Sequence, residues 1–439
     1  LLPLGYGLVI YAFWQLRRMS FGLLIASVGL GFFLVLLLSP ASPGWFLWVV
    51  PLLVMHQVQS GRSAIVMTAV FSLLLIVFNL LHSSGAIIRL ISADFTAPLI
   101  DTYSSISENQ LSLLLTALLA SGAVLAYRMS RDGIRESDHF GLRSRPFVLG
   151  IAGDSGSGKD TLADALQGLF GSHSLAHISG DDYHMWDRDQ PLWQTITHLN
   201  PRANDLGAMT NSVIDLAESR TVSVKRYDHS IGRFAPATWL RHNDFVVVSG
   251  LLVFFVPQLR ERCDARIFLD MDEDLRRYFK IRRDVESRGH SIESVEATLE
   301  SRADDSDRFI RPQIDHADVV FRIEPARPAQ LKDKTPAEHV HLQLRISLKS
   351  SLYHERLVRL LIGGCGLSVD HDLDDTTSAV ELLVAGEVSG EDLGHVAAQL
   401  VPLSEELLDV QPDWQDGMTG VMQLVVMAQA AQILGDRSA

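Results

Sequence analysis

Cysteine is almost missing from this 439-residue chain: Cys263 and Cys365 are its two, far apart and without metal-ligand spacing. Neither a disulfide framework nor a zinc site is implied, and the composition suits a reducing compartment. Positive charge is also short. Lys and Arg number 38 against 52 Asp and Glu, a net charge of −14 and a pI near 5.5. That balance argues against nucleic acid as the main partner. A cleavable signal pattern is lacking near the start. The chain opens on Leu1 rather than Met and is expected to be the C-terminal part of something longer. Its length predicts two to four domains.

Lysine is absent up to Tyr127, where apolar runs dominate. Spans are expected near 2–16, 20–39, 45–56, 64–82 and 110–127, about five helices in all, some shorter than the ~20 residues a bilayer crossing wants. Pro40, Pro43 and Pro51 interrupt the third, which is expected to be broken or re-entrant. Core helices of a water-soluble fold are the plainer alternative, but such runs in series rarely lack salt-bridging charges. Arg17 and Arg18, Arg62, and Arg128 and Arg131 fall on one face if the spans alternate. The other loops carry Asp94, Asp101 and Glu108, with Arg89 the exception. The positive-inside rule makes the basic face cytoplasmic. The expectation is a multi-pass membrane segment over 1–127 with a lipid bilayer as partner. Residues 128–146, with Arg128, Arg131, Arg135, Arg143 and Arg145, read as a juxtamembrane linker able to touch anionic headgroups.

The stretch Gly153-Asp154-Ser155-Gly156-Ser157-Gly158-Lys159-Asp160-Thr161 follows an apolar run, 147–152, and precedes a helical pattern from Leu162. Strand, glycine loop and helix in that order are the context of a phosphate-binding P-loop. Glycines let backbone N–H groups converge on one anion, and the helix N-terminus and the Lys159 ammonium add positive charge. Gly153, Ser155, Gly156, Ser157, Gly158, Lys159, Asp160 and Thr161 are the candidate phosphate-binding set. The residue after the lysine is usually Ser or Thr, whose hydroxyl ligates magnesium; here it is Asp160.

Downstream, Ala176-His177-Ile178-Ser179-Gly180-Asp181-Asp182-Tyr183-His184 predicts a short strand ending in two carboxylates at the carboxyl edge of a parallel sheet. One carboxylate there could accept a proton from an attacking hydroxyl while its neighbour orients a water or the metal. Loops containing Arg188, Arg202, Tyr227 and His229 mix cations with hydrogen-bonding groups. They suit a phosphorylated, polyhydroxylated substrate, though each alone would more often be surface loop. The charged segment from Leu275 to His290 reads either as a solvated helix face or as a mobile lid. The phosphate loop upstream favours a lid whose Lys280, Arg283 and Arg288 neutralise charge in a loose transition state.

From about 147 to 325 the chain resembles the phosphoribulokinase and uridine kinase group of P-loop kinases, most of all the plant and cyanobacterial type of phosphoribulokinase. The motifs GDSGSGK, DDYH, NPRAND, YDHSIG, KIRRDVESRGHS and PQIDHAD occur in that family's order. The resemblance implies an α/β fold: a P-loop kinase with a mostly parallel sheet flanked by helices, preceded by the all-α membrane region and followed by a small α+β extension over 326–439. It also implies ATP and Mg2+ as cofactors. Asp181 would be the base that deprotonates the acceptor hydroxyl, and Lys159 with the loop amides the ATP phosphate cradle. Asp182, Tyr183, His184, Arg188, Arg202, Tyr227 and His229 match substrate-side positions. Lys280, Arg283, Asp284 and Arg288 match the lid and its acidic partner.

The chain departs from the pattern at three places. Where the family has glutamate and histidine in an I-E-G-L-H strand end, this sequence has Ser249 and Leu252. Where the P-loop has serine, it has Asp160. The two changes read as an exchange that returns a carboxylate and a hydroxyl to one cation, with Asp284 as a further metal candidate. The competing reading is a damaged magnesium site. Ser157 replaces the redox-active cysteine of plant enzymes, so thiol switching through the loop is not expected.

Beyond Pro325, strands are expected over 339–349 and 380–386 and helices over 391–408 and 422–434. Asp370, Asp372, Asp374 and Asp375 are expected in a solvated loop. The segment from Asp416 to Leu424 is similar to the family's closing N-G-T-G-x-x-Q. The functional expectation is a membrane-anchored, cytoplasm-facing kinase for a sugar-phosphate hydroxyl, with a homo-oligomer left open. The alternatives are a kinase for a cell-surface or lipid-linked sugar and a nucleotide-binding regulatory module with weak turnover.

Overall fold

The computed structural model describes residues 2–14, 21–38, 46–60, 62–82, 107–137, 142, 145–286, 291–327, 340–349, 354–374, 379–401, 407–408 and 410–438. The chain divides into two compact units, Leu1–His139 and Phe140–Ala439.

Among the described residues the first unit holds five helices, Leu2–Trp14, Phe21–Leu38, Phe46–Ser60, Arg62–His82 and Glu108–Ser137. They match the five apolar runs. Pro51 lies inside a continuous helix, so the expected break at that residue does not occur. The last helix runs past Tyr127 through Arg128 and Arg131, so the start of the expected linker is helical. Phe33, Val49, Leu53, Phe71, Leu118, Leu125 and Met129 pack inside, with the Phe33 and Phe71 rings 4.8 Å apart. Large apolar side chains such as Leu8, Trp14, Trp48, Val58, Leu73 and Leu113 face outward. Within this unit one helix, Asn109–Asp132, is both long and apolar enough to cross a membrane, and the other four apolar helices are shorter. The second helix of that kind, Gly417–Arg437, is mostly buried in the other unit, as a core helix would be. Arg17, Arg18, Arg89, Asp94, Asp101 and Arg143 lie outside the described residues.

The second unit is built on an eight-stranded sheet. In chain order its strands and those of two small ribbons are β1 (Phe147–Gly153), β2 (Leu175–Ser179), β3 (Val222–Val224), β4 (Tyr227–Asp228), β5 (Arg233–Phe234), β6 (Thr238–Leu240), β7 (Phe245–Gly250), β8 (Ala265–Met271), β9 (Val319–Pro325), β10 (Leu342–Leu348), β11 (Ser368–Asp374) and β12 (Ala379–Ala385). The large sheet runs β11-β12-β10-β9-β8-β1-β7-β2. From β2 to β9 the pairs are parallel, and β9-β10, β10-β12 and β12-β11 are antiparallel. Runs such as Phe245-Val246-Val247-Val248 are buried on both faces, which is why they read as unbroken β-branched stretches rather than alternation.

The expected division near residue 326 falls inside this sheet, because β10 pairs along β9 from Leu342↔Pro325 to Leu348↔Val319. The acidic run Asp370, Asp372 and Asp374 is an edge strand, not the solvated loop expected of it; Asp375 is outside the described residues. Pairing with β12 satisfies one side of its backbone, and charged side chains on an edge discourage further strands from adding. The expected helix over 391–408 is seen as Gly390–Leu400. The helix Gly417–Ser438 packs on the one that follows the P-loop. Its fully buried Gln423 donates from Nε2 to the Ala165 carbonyl at 2.7 Å and to that of Asp413 at 3.0 Å. The C-terminal resemblance thus covers a residue that fastens the phosphate-loop helix.

Candidate active site

Register decides which side chains meet. Ile151 of β1 and Ser179 of β2 both lie level with Ser249 of β7, so the three strands end at one edge of the sheet. Because β1 leaves toward its loop between β7 and β8, this edge is the topological switch point where α/β sheets hold ligands. A cleft of about 300 Å³ opens there.

The phosphate loop forms one wall. Gly158 caps the following helix, Lys159–Phe170, at φ 94° and ψ 15°, a left-handed conformation that glycine adopts without steric cost. A Cβ on Gly153 would stand 2.3 Å from the Leu269 carbonyl oxygen, so that strand end tolerates no side chain. Lys159 Nζ donates to the Asp154 carbonyl at 2.6 Å, and burial lowers the pKa of its ammonium against the pull of Asp160, Asp181 and Asp154. Ser155, Gly156, Lys159 and Asp160 line the cleft. Ser157 is buried beneath the loop, and Thr161 faces away on the helix exterior.

Asp181 and Asp182 have opposite fates. Asp181 lines the cleft, capped through its backbone N–H by Ser179 Oγ at 3.3 Å, with His229 Nε2 at 3.1 Å and His184 Nε2 at 3.6 Å. Burial would raise its pKa. The hydrogen bond from His229 and the neighbouring His184 outweigh that and hold it well below the usual carboxylate range. Asp182 instead turns inward and does not reach the cleft. One oxygen accepts the Tyr227 N–H at 2.8 Å and the other the Arg226 guanidinium, also at 2.8 Å. Burial pushes its pKa up against those partners. Its place is to fix the ribbon carrying Tyr227 and His229, not to hold a substrate or metal.

The remaining substrate-side candidates separate as clearly. His184, Arg188, Tyr227 and His229 line the cleft. Arg188 donates to the His229 carbonyl at 3.0 Å, and His184 Nδ1 is 2.8 Å from Asn204 Oδ1. Tyr183 packs into the apolar core with Met209 and Val213, and Arg202 is exposed outside the cleft, its N–H capped by Asn200 at 3.1 Å. The motif neighbours of a functional residue point elsewhere because a tight turn alternates its side chains.

The helix Glu273–Glu286, expected as a lid, presents Arg276, Lys280 and Asp284, spaced by four, on one face. Arg276 reaches Asp154 at 3.3 Å and donates to the Ser155 carbonyl at 3.1 Å. Lys280, Arg283 and Asp284 line the cleft, with Arg283 Nε 3.0 Å from Asp284. Burial first, then Arg302 and Arg276, bring the Lys280 ammonium down to about 8. Arg288 lies outside the described residues. Sequence reasoning missed several lining residues, among them Arg302, Trp193 and His198. Arg302 follows on the helix Ile292–Asp305, burial lowering its pKa to about 10. Trp193 lies nearly parallel to Tyr227, 13° apart, and to His198, 23° apart. Burial holds the His198 pKa well below the ordinary histidine value, so that ring is neutral. Arg302 could have been found as a cation one helix after the lid; Trp193 and His198 carry no spacing signal.

Among the described residues no three His, Cys, Asp or Glu side chains gather into a metal cage. Magnesium in phosphate sites keeps several waters and takes only one or two carboxylates besides the phosphates, so none is needed. Asp160, exposed at the head of the phosphate helix, and Ser249, at the end of β7, line the same cleft and fit that sparse donor set. The Ser249 hydroxyl is 2.9 Å from His177 Nε2. Asp284 is held by Arg283 and is the poorer donor. Replacing Asp182 by Ala should cost about 2 kcal/mol of stability, since it strands the Tyr227 N–H and the Arg226 guanidinium. Denaturant unfolding should show that loss while phosphate binding at the loop is retained.

A family profile described as "Phosphoribulokinase / Uridine kinase family" matches residues 148–329. The phosphoribulokinase of Synechocystis sp. is 34% identical over 189 residues, 43% of this chain and 57% of that protein. The chloroplastic phosphoribulokinase of Spinacia oleracea is 34% identical over 200 residues, 42% of this chain and 50% of that one. The chain therefore spans about half the length of these relatives. The uridine kinase of Chloroflexus aurantiacus is 32% identical over 184 residues, 41% of this chain and 88% of the enzyme. Among solved structures, phosphoribulokinase from Rhodobacter spheroides covers 66% of this chain and 99% of its own at 15% identity and a TM-score of 0.45. Kinases of this family transfer phosphoryl groups to hydroxyl acceptors and use ATP with Mg2+. With its glycine loop, its Asp181 turn and its lid cations in the family's order, the chain belongs to the phosphoribulokinase/uridine kinase family of P-loop kinases.

Proposed function

We propose that residues 140–439 form an ATP-dependent kinase that transfers the γ-phosphoryl group to a hydroxyl of a sugar phosphate. In this reading the helices of residues 2–137 anchor it as a multi-pass unit in a membrane, with the kinase facing the cytoplasm. The observation that carries the reading is the placing of the Asp181 carboxylate and the Lys159 ammonium in one cleft. The outward Leu, Val and Trp side chains of the first unit support the anchor.

The chain's own groups divide the work. Lys159 and the loop amides hold the nucleotide phosphates. Asp181, kept ionised by its histidines, orients the acceptor hydroxyl and takes its proton late in a loose transfer. Lys280, Arg283 and Arg302 neutralise charge on the equatorial oxygens. Magnesium held by Asp160 and Ser249 would supply charge neutralisation on the β- and γ-phosphates. Arg188 offers an acceptor phosphate a cation and His184 and His229 offer it hydrogen bonds, which favours a phosphorylated sugar over a nucleoside. A second reading, a nucleotide-binding regulatory module, is favoured by Ser249, whose hydroxyl is already engaged by His177 where the family carries a carboxylate.

ATP turnover by the full chain with magnesium should depend on one acceptor from a panel of pentose phosphates, glycerate, uridine and lipid-linked sugars, and that acceptor should be a sugar phosphate. ATP binding without phosphorylation of any of them would support the regulatory module. The free-enzyme profile of kcat/KM should fall as pH rises through about 8, where Lys280 loses its proton, tenfold per unit beyond. Lys280→Arg should stay charged and carry the alkaline limb more than one unit higher; an unmoved limb would remove Lys280 from that role.

A further inference from the structure

We propose that the ribbon β3–β6 is a second, peripheral membrane contact, seating the acceptor side of the kinase unit on an anionic lipid surface. The inference rests on the membrane-anchor reading and adds a site to it. Among the described residues of 140–439, the two most exposed large apolar side chains are Trp239, 77% accessible, and Ile231, 65%. Trp239 stands on β6 of this ribbon; Ile231 stands on the separate β4–β5 hairpin, which lies between β3 and β6 in the chain and carries Tyr227 and His229 to the cleft.

The ribbon's two faces are unlike. Val222, Val224 and Leu240 point inward against the core of the kinase unit. Ser223 pairs with Trp239 across the ladder, so residues two steps away on either strand share Trp239's face. Those include Lys225 and Arg241, one residue past the ends of β3 and β6 and both exposed. Neither makes an ion pair among the described residues. Nearby acids are already engaged: Asp215 and Glu218 with Arg220, Asp189 with Arg233, and Asp228 with Ser230. What remains outward is a tryptophan between two unpaired cations, with an isoleucine at the adjoining hairpin tip. A protein hot spot would bury its aromatic in a pocket with a broad apolar surround. An indole flanked by Lys and Arg is the pattern of the bilayer interface, where the ring sits at headgroup level and the cations meet phosphate. On a chain of net charge −14 such a patch is local and oriented. Its consequence is positional: His229 and Tyr227 would open beside the headgroups, so an acceptor held at the membrane could enter without leaving it.

The test uses the full chain in nanodiscs with an environment-sensitive fluorophore on Ala237→Cys, beside Trp239. Cys365→Ser removes the partly accessible native thiol, and a control probe sits on His395→Cys. In phosphatidylglycerol discs the 237 probe should shift to the blue and be quenched by a lipid-borne spin label, while the 395 probe is not. The effect should weaken in phosphatidylcholine and at high salt. Trp239→Ser with Lys225→Glu and Arg241→Glu should return the 237 probe to the control's behaviour, with ATP binding intact. If the chain enters the discs and both probes behave alike in both lipids, the docking is wrong and the anchor stands. If the 237 probe is equally shielded in detergent, the patch meets protein and not lipid, which also overturns the proposal. A chain that stays out of the discs overturns the anchor, and the docking with it.

Discussion

Asp154 is the joint on which the site depends. Its carbonyl accepts the Lys159 ammonium at 2.6 Å, and its carboxylate takes the Ser155 N–H, the Ser306 hydroxyl at 2.5 Å and the Arg276 guanidinium at 3.3 Å. One side chain thus fastens the glycine loop to both helices that carry Lys280, Arg283 and Arg302. A loop of glycines has little stiffness of its own. Pinning it to those helices makes the phosphate loop and the charges above it parts of one object. Ser306 opens a π-helical turn between the helix Ile292–Asp305 and the Gln313 clamp, a distortion of the kind that recurs at functional sites. Gln313 in turn holds the chain after β7 by accepting the Phe254 N–H at 2.8 Å and donating to the Leu251 carbonyl at 2.7 Å.

The same logic explains the paired aspartates. They are adjacent in sequence and separated by environment, Asp181 lowered among histidines and Asp182 raised by burial. The first is left for chemistry; the second spends both oxygens on the ribbon that brings His229 to within 3.1 Å of its neighbour. A carboxylate whose partner histidine sits beside a separate β element needs such a tie, because a shift of the ribbon would move the histidine with it.

Much of this was legible in the sequence. The strand–loop–helix grammar located the phosphate site and β1 with it, because that pattern follows from backbone geometry and burial. Motif order carried Asp181, His184, Arg188, His229 and Lys280 to one cleft. Side-chain direction was not legible: Asp182, Tyr183 and Arg202 sit inside matching motifs, yet a tight turn sends them to the ribbon, the core and the solvent. Arg302, Trp193 and His198 reach the cleft through tertiary packing and left no periodic trace. The edge strand β11 was hidden because its acids mimic a solvated loop, their alternation visible only once β12 is beside them.

The account's central claim is that Asp181 acts on the acceptor while Lys159 holds the nucleotide. Single-turnover transfer from radiolabelled ATP, with ATP affinity measured on the same samples, separates the two most directly. Asp181→Asn should bind ATP within about twofold of the native chain and lose at least ~10²-fold in the transfer rate, the scale of a general base. A variant that transfers at near the native rate would contradict the account.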